Sequence, residues 1–361
     1  MKRTIVIVQS GLGAGGAEKI VNLIAKHRIE KGDDVHVLAI YGKPEDSYFE
    51  YPPQVQVHTL YKHNDGSESK SRIKATIVKV KWLRSTFRKI QPDLILSFLT
   101  KINFICACAL LYSEIPFLVS ERNNPNQQRS GRIWKILLKL TFKKADHIIM
   151  QTQGAMSILS ADAQKKAVII PNPSLVNNQA MATKNISTDI VAVGRLTQQK
   201  GFDVLIAAIE IVSKKFPAIH LTIWGEGNER TSLENLVALK NLDKNISLPG
   251  NTKTPMEWLN SAKIFILPSR YEGFPNVLVE AMSAGMAAIA TDCPWGPADM
   301  IADGKNGLLV PVENPIALSQ AIETLLNSPK LQELLAKAAT EKLDAFSENK
   351  VLEMWDNILE A

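Results

Sequence analysis

A chain of 361 residues is too long for one ordinary core and fits about two domains. Apolar residues at 45% and charged residues at 22% exclude a disordered chain, and no Gly/Ser-rich tract, Pro-rich tract or short repeat interrupts it. The charge is uneven: residues 1–170 carry 26 Lys and Arg against 14 Asp and Glu, and the remainder carries 16 against 22. Such an asymmetry predicts that the first half faces something anionic, whether nucleic acid, a membrane surface or a phosphorylated substrate.

The first apolar run, residues 4–8, is only a strand's length and a glycine loop follows it. A secretory signal needs a longer apolar core and a small-residue cleavage site, so the start reads as mature cytosolic protein. Residues 4–9 are the first strand. After Gly11, Gly13, Gly15 and Gly16, residues 17–28 show helical spacing with Ile20, Leu23, Ile24 and His27 on one side. Residues 34–41 are the next strand. That is the β-loop-α-β entry to a doubly wound parallel sheet. Further strands are expected at 55–60, 94–98, 117–120 and 147–151, with helices between most of them. The longest apolar stretch, 102–119, is broken by Ser113, Glu114 and Pro116 and reads as a buried helix plus strand, not a membrane span. Cys106, Cys108 and Cys293 are odd in number and lack metal spacing, which fits a reducing compartment.

Residues 168–173 run into a Pro-Asn-Pro turn, and the weakly patterned residues 174–188 read as a linker. A second alternation follows: strand 190–194, helix 202–216, strand 220–224, a helix from 229, strands 246–248 and 264–268, a helix from 276, and strand 288–291. The expected organisation is α/β, with one domain over 1–173 and a second over 189–345. The two Rossmann-like parallel sheets are expected to face each other across a cleft, and a last helix within 346–361, anchored by Trp355, to pack back on the first domain.

Gly11, Gly13 and Gly16 satisfy G-x-G-x-x-G, the dinucleotide fingerprint. Its acidic partner is missing, because the end of the second strand reads Leu38, Ala39, Ile40, Tyr41. Two readings remain: backbone N–H groups of a helix N-terminus approached by a phosphate, or a tight turn with no ligand.

The most informative segment is 271–291, YEGFPNVLVEAMSAGMAAIAT. Glu272 sits in a loop after a strand, and Glu280 lies eight positions on, about two turns into a helix. Gly273 and Pro275 shape the turn that starts this helix. A carboxylate that accepts from hydroxyls, beside an N-terminus that attracts phosphate, describes a sugar-diphosphate site. The string resembles the E-x₇-E signature of retaining GT-B glycosyltransferases, specifically their large fourth family. Other pieces stand in the family's order: Val193-Gly194-Arg195-Leu196 with Lys200-Gly201, Gly225-Glu226-Gly227, Leu248-Pro249-Gly250 and Pro268-Ser269. Gly285-Met286-Ala287-Ala288 departs from the family's usual Gly-x-Pro-Val.

The resemblance implies that Glu280 binds the donor ribose and Glu272 the hydroxyls of the transferred sugar. Gly273, Phe274, Pro275 and Asn276 would touch sugar and diphosphate by their backbone. Gly225 and Leu248, with Gly13, Gly15 and Gly16 from the first domain, would complete the donor site. Arg195 and Lys200 would neutralise the leaving diphosphate, so no metal or other cofactor is expected. A non-catalytic scaffold or a sugar-nucleotide epimerase on the same fold are the rival readings, and four intact residues, Glu272, Glu280, Arg195 and Lys200, speak against the former.

Two shorter strings, Ser120-Glu121-Arg122-Asn123-Asn124-Pro125 and Asp292-Cys293-Pro294-Trp295-Gly296-Pro297, resemble enzymes that extend O-antigen, capsule or exopolysaccharide units on undecaprenyl diphosphate. Glu121, Arg122 and Asn123 would then contact donor sugar or acceptor. The expected partners are a nucleotide sugar, most simply UDP-linked, and a polyprenyl-diphosphate-linked saccharide. The protein would be peripheral on the cytoplasmic face of an anionic inner membrane. Basic residues at 72–89 and 132–144, set beside Trp82, Phe87, Trp134 and Phe142, suit such a surface if these aromatics are exposed. If the apolar sides are core, they are ordinary surface helices. Nucleic acid is the rival partner, but no recognised nucleic-acid fold or stacking motif accompanies the charge.

Overall fold

The computed structural model describes residues 2–61, 71–122, 132–174, 188–252 and 255–360. The expected linker, 174–188, lies outside the described residues except at its two ends, and so does Asn123. The chain divides into two compact units, Met1–Pro171 with Leu352–Ala361, and Asn172–Val351.

In the first unit the elements are β1 (Thr4–Gln9), α1 (Gly16–Glu30), β2 (Asp34–Tyr41), β3 (Gln56–Tyr61), α2 (Arg72–Ile90), β4 (Leu94–Phe98), α3 (Thr100–Ala109), β5 (Phe117–Ser120), α4 (Arg132–Lys144), β6 (His147–Met150), α5 (Gln153–Ser157), α6 (Ala161–Gln164) and β7 (Ala167–Ile169). The strands form a parallel sheet in the order β3-β2-β1-β4-β5-β6-β7. Helices cover both faces of such a sheet, which is why its central strands are continuous apolar runs and not alternating ones. Ile5, Val6, Ile7 and Val8 of β1 are all fully buried. The order reverses between β1 and β4, the kind of switch point at which doubly wound sheets generally take their ligands.

In the second unit the elements are β8 (Ile190–Val193), α7 (Phe202–Ser213), β9 (Leu221–Trp224), α8 (Arg230–Leu239), β10 (Ile246–Gly250), α9 (Pro255–Leu259), β11 (Ile264–Leu267), α10 (Asn276–Ser283), β12 (Ala287–Thr291), α11 (Pro297–Met300), β13 (Leu308–Val310), α12 (Pro315–Leu326) and α13 (Pro329–Leu343). This parallel sheet has the order β10-β9-β8-β11-β12-β13, with its switch point between β8 and β11. One buried cluster joins α7, α8 and α12 to the sheet, and another gathers Trp258, Phe265, Leu278, Met282 and Leu343 with α10 and α13. Ala287 and Ala288, where the family's proline and valine are missing, are buried and open β12. The sheet therefore takes two small side chains at this point.

The last helix, α14 (Glu348–Leu359), begins in the second unit, and its residues from Leu352 belong to the first. Trp355 is fully buried and its ring lies 6.0 Å from that of Phe98. Arg28 of α1, itself buried, donates to Asp33 at 2.7 Å, to Asp356 at 2.7 Å and to Glu360 at 2.6 Å. The Arg28 fork is satisfied only with α14 in place, because removing the helix would leave a buried guanidinium short of acceptors.

The aromatics of the two basic stretches are not the exposed residues. Phe87 and Phe142 are core, and Trp82 and Trp134 are half-buried, Trp134 standing edge-on to Phe104 at 6.1 Å. The exposed apolar groups are aliphatic: Ile73, Ile77 and Val78 on α2, Ile136 and Leu140 on α4. Helix periodicity alone puts Phe87 on the inner stripe with Leu83, a placement that composition does not reveal.

Candidate active site

The second unit's switch point gathers the residues the sequence singles out. β11 delivers Ser269, Arg270, Tyr271 and Glu272, and α10 starts at Asn276 behind the buried Pro275. The loop after β8 carries Arg195 and Lys200. Although 72 positions separate them, Lys200 Nζ donates to Glu272 Oε1 at 2.7 Å. Ser269 Oγ donates to the same oxygen at 2.6 Å, and Thr291 Oγ1 donates to the Ser269 carbonyl. Glu272 is only 4% exposed. A buried carboxylate with an ammonium and a hydroxyl on one oxygen is held in a single orientation, with its charge balanced on the spot.

The two loops are locked by further contacts. Gly201 has φ of 65°, and a Cβ there would fall 2.1 Å from the Pro268 carbonyl oxygen, so only glycine permits this approach. Gln199 Nε2 donates to the Tyr271 carbonyl at 3.0 Å. Arg270 forks onto Asp203 at 2.9 and 2.7 Å and reaches Glu313 at 2.8 Å. These bonds hold Arg270 well above and Asp203 below their ordinary pKa ranges, against the opposite push of burial on Asp203. The sequence string flags neither residue, since an Asp and an Arg 67 positions apart give no local signal.

The remaining predicted residues fall around this core. Arg195 is exposed and makes no ion pair among the described residues. Glu280 is half-buried on α10. Asn276 accepts from Asn172 Nδ2 at 2.7 Å, which ties the Pro-Asn-Pro turn to the start of α10. Phe274 is buried, 6.4 Å from the Phe346 ring, and Gly273 is half-buried beside it. The backbone of Glu272 reaches the Pro294 carbonyl at 3.5 Å, so the 271–276 and 292–297 strings are neighbours. Cys293 lies there too, its thiol pushed up to about 12 chiefly by burial, then by the Glu272 charge, which keeps it a protonated, inert side chain. Gly225 directly follows β9 and packs against the Gly194 carbonyl, and the half-buried Leu248 lies within β10.

In the first unit Gly13 is exposed in the loop after β1, Gly15 is half-buried at the N-cap of α1, and Gly16 is exposed as the first residue of that helix. Glu121 is buried and accepts from Thr100 Oγ1 at 2.6 Å. Arg122 donates to Ser120 Oγ at 2.8 Å and lies over the rings of Phe98 and Trp355 at 5.1 and 5.6 Å. Burial pulls its guanidinium down to about 9, opposed by the adjacent Glu121 charge. Arg122 is thus part of the seat of α14 and stands two residues beyond the C-terminal end of β5.

Two doubly wound parallel sheets, the second bearing a carboxylate–ammonium pair at the head of a helix, define a two-Rossmann protein of the GT-B type. The profile described as Glycosyltransferase Family 4 matches residues 14–173, and that described as Glycosyl transferases group 1 matches residues 178–342. The chain belongs to this group of glycosyltransferases. A Campylobacter jejuni relative, N-acetylgalactosamine-N,N'-diacetylbacillosaminyl-diphospho-undecaprenol 4-alpha-N-acetylgalactosaminyltransferase, is 26% identical over 94% of this chain and 94% of its own. Among solved structures, sucrose-phosphate synthase from Thermosynechococcus elongatus superposes with a TM-score of 0.84 at 20% identity, over 99% of this chain and 98% of its own. HepE of Anabaena, solved with UDP, gives 0.80 at 18% identity over 100% of both chains. At such identities the two structures speak for the fold.

Proposed function

We propose that this glycosyltransferase moves a hexose or N-acetylhexosamine from a UDP-sugar to a saccharide carried on a polyprenyl diphosphate, with retention of anomeric configuration, in the assembly of a bacterial surface polysaccharide. The observation that carries the reading is the Glu272–Lys200–Ser269 constellation beside the start of α10. The UDP held by HepE and the diphospho-undecaprenol saccharide named for the Campylobacter relative supply the donor and acceptor classes.

In the proposed reaction the acceptor hydroxyl attacks the anomeric carbon on the face from which the diphosphate departs. The carbon–oxygen bond to the diphosphate breaks as the new glycosidic bond forms, and the leaving phosphate oxygen takes the acceptor's proton. No protein nucleophile is required, in contrast to a retaining glycosidase. The protein's part is orientation and stabilisation of the developing diphosphate charge. Arg195 is the exposed cation suited to it, and the first-turn N–H groups of α10 add their dipole. Glu280 takes the ribose hydroxyls. On this reading no divalent metal takes part.

Thermal unfolding across UDP, GDP, ADP and their sugars, without metal, tests the donor site. At a hundredfold excess over Kd, UDP and its sugars should raise Tm by about 5–10 °C, and Glu280→Ala should abolish the shift. No shift with any nucleotide would remove the enzyme reading of this site.

The reading also places the protein on the cytoplasmic face of an anionic membrane. No helix among the described residues is long and apolar enough to cross one. Its support is the outer face of α4, where Ile136 (60% exposed), Lys139, Leu140 and Lys143 follow at helical spacing, and of α2, where Ile73, Ile77 and Val78 alternate with Lys74 and Lys81. Exposed aliphatics between lysines match the acyl boundary and headgroups of an anionic bilayer. In co-sedimentation with phosphatidylglycerol-containing vesicles, a double Ile136→Glu, Leu140→Glu variant should bind at least about tenfold more weakly than wild type. Equal binding would move the contact elsewhere.

A further inference from the structure

Lys200 reaches Glu272 from a flexible four-carbon stem, so the geometry of their pair depends on what fixes the Lys200 backbone. Lys200 closes a 3-10 turn, Gln198–Lys200, and the Gly201 that follows caps α7. So short a turn has few bonds of its own. The Lys200 N–H donates to the Thr197 carbonyl at 3.0 Å, and the Gly201 N–H to the Gln198 carbonyl at 3.3 Å. Its outside anchors come from the loop after β11, chiefly from Arg270.

Arg270 holds the turn from both sides of Lys200. Its backbone N–H donates to the Gln199 carbonyl at 2.8 Å, and its Nη1 donates to the Gln198 carbonyl at 2.6 Å. The same Nη1 and Nη2 fork onto Asp203, in the first turn of α7, at 2.9 and 2.7 Å. Nε donates to Glu313 at 2.8 Å. The chain is thus gripped one and two residues before Lys200 and again three residues after it. Glu313 is 63% exposed, so that leg adds little. The planar, bidentate fork onto Asp203 is the leg that fixes the guanidinium in one orientation.

Two roles are open to an arginine in this loop. It could be a further cation for the departing diphosphate, or it could place the groups that act. Its charge is met by two carboxylates and its N–H groups point along the turn, which favours the second. Resting on the transferase reading above, we infer that Arg270, locked by Asp203, is a positioning residue that sets Lys200 against Glu272 and acts on the reaction only through Lys200. A lysine at 270 could not replace it, because one ammonium cannot span a backbone carbonyl and both oxygens of a carboxylate. A misplacement of about 1 Å at such a group lowers turnover by up to about a hundredfold.

The first test needs no substrate. Acetic anhydride labelling of the whole chain, read by mass spectrometry, should acetylate Lys200 at least about fivefold faster in Arg270→Gln than in wild type. Asp203→Asn, which keeps the arginine and removes only the fork's charge, should act in the same direction and guards against an Arg270 variant that fails to fold. Lys215 and Lys240, paired with Glu323 and Glu210 in the same unit, should label as in wild type. The second test reads UDP release from UDP-sugars. Arg270→Gln should lower it at least about tenfold in the wild-type background and less than about twofold in Lys200→Met, where nothing is left to position. Unchanged Lys200 labelling in both variants, or equal acceleration at all three lysines, would overturn the inference. So would the same fold loss of UDP release in both backgrounds. A wild-type chain that neither gains stability from any nucleotide nor releases UDP would sink the transferase reading, while the labelling contrast would still decide whether Arg270 sets Lys200.

Discussion

Glu272→Gln should all but silence the enzyme, lowering turnover by about a hundredfold or more, while the chain remains folded but less stable. The expectation follows from what shares Glu272 Oε1. Lys200 Nζ stands 2.7 Å away with its side chain 13% exposed, and the Ser269 hydroxyl stands 2.6 Å away with no exposure at all. The amide keeps an oxygen able to accept from both donors but loses the charge that they were arranged around. An ammonium then lies nearly dry without a counter-ion, and breaking a buried pair from one side costs about 3–5 kcal/mol. Lys200→Met should cost a similar amount from the other side. The double variant separates stability from catalysis. Removing both charges should return part of the lost stability, giving a favourable coupling above about 1 kcal/mol in denaturant unfolding, because no orphaned charge remains. Turnover should stay at the level of Glu272→Gln. Recovery of activity in the double variant would mean that the pair only braces the loop. Additive stability losses would mean that the pair is not coupled, against its geometry.

How far the amino-acid sequence foretells this arrangement depends on the distance over which each feature is encoded. Strands such as 4–9 and 264–267 are legible because a doubly covered parallel strand is apolar throughout, and the helices between them because their apolar stripes repeat at helical spacing. The Glu272-to-Glu280 string is legible because the loop, the turn residues and the helix are contiguous. What joins that string to Lys200 is not contiguous: the approach of Gly201 to the Pro268 carbonyl and the Arg270 fork onto Asp203 are tertiary facts, built from residues that look unremarked in their own neighbourhoods. The same holds for Gln9 and Tyr51, one an ordinary strand terminus and the other an ordinary loop aromatic until the fold brings amide and phenol within 3.2 Å. The basic helices show the opposite error. Their composition reads as lysine beside aromatic, but the aromatics turn inward and isoleucine, leucine and valine take the outer face. Boundaries move by a residue or two for a simpler reason, since helix α1 runs over Gly16–Glu30 and the final helix over Glu348–Leu359, where end residues are decided by capping and not by the apolar period.

Gly225→Ala should be among the most destructive single-methyl substitutions in the second unit. Three strand ends meet at this position. The Gly225 N–H donates to the Gly250 carbonyl at 2.8 Å, and the Gly194 N–H donates to the Trp224 carbonyl at 2.9 Å. Gly225 has φ of 143°, outside the range that L side chains adopt, and a Cβ there would fall 1.9 Å from the Gly194 carbonyl oxygen. That obstacle is backbone, so no rotamer change relieves it. Either β9 moves away from β8 or the Gly194–Arg195 peptide turns. Backbone strain of about 1–3 kcal/mol adds to an overpacking cost of about 1–3 kcal/mol. Together they should lower Tm by roughly 5–15 °C, followed by far-ultraviolet circular dichroism. The functional consequence follows from the same contact, because the displaced peptide is the one that carries Arg195, the cation to which the proposed reaction assigns the leaving diphosphate. The UDP-induced rise in Tm should therefore shrink in Gly225→Ala by more than the loss of stability alone accounts for. Gly13→Ala supplies the control. Its added methyl meets nothing within 4 Å, so its melting temperature should stay near that of wild type. Equal melting of the two variants would show that the β8 and β9 ends part at no cost, and the stacked glycines would then have no part in shaping the donor site.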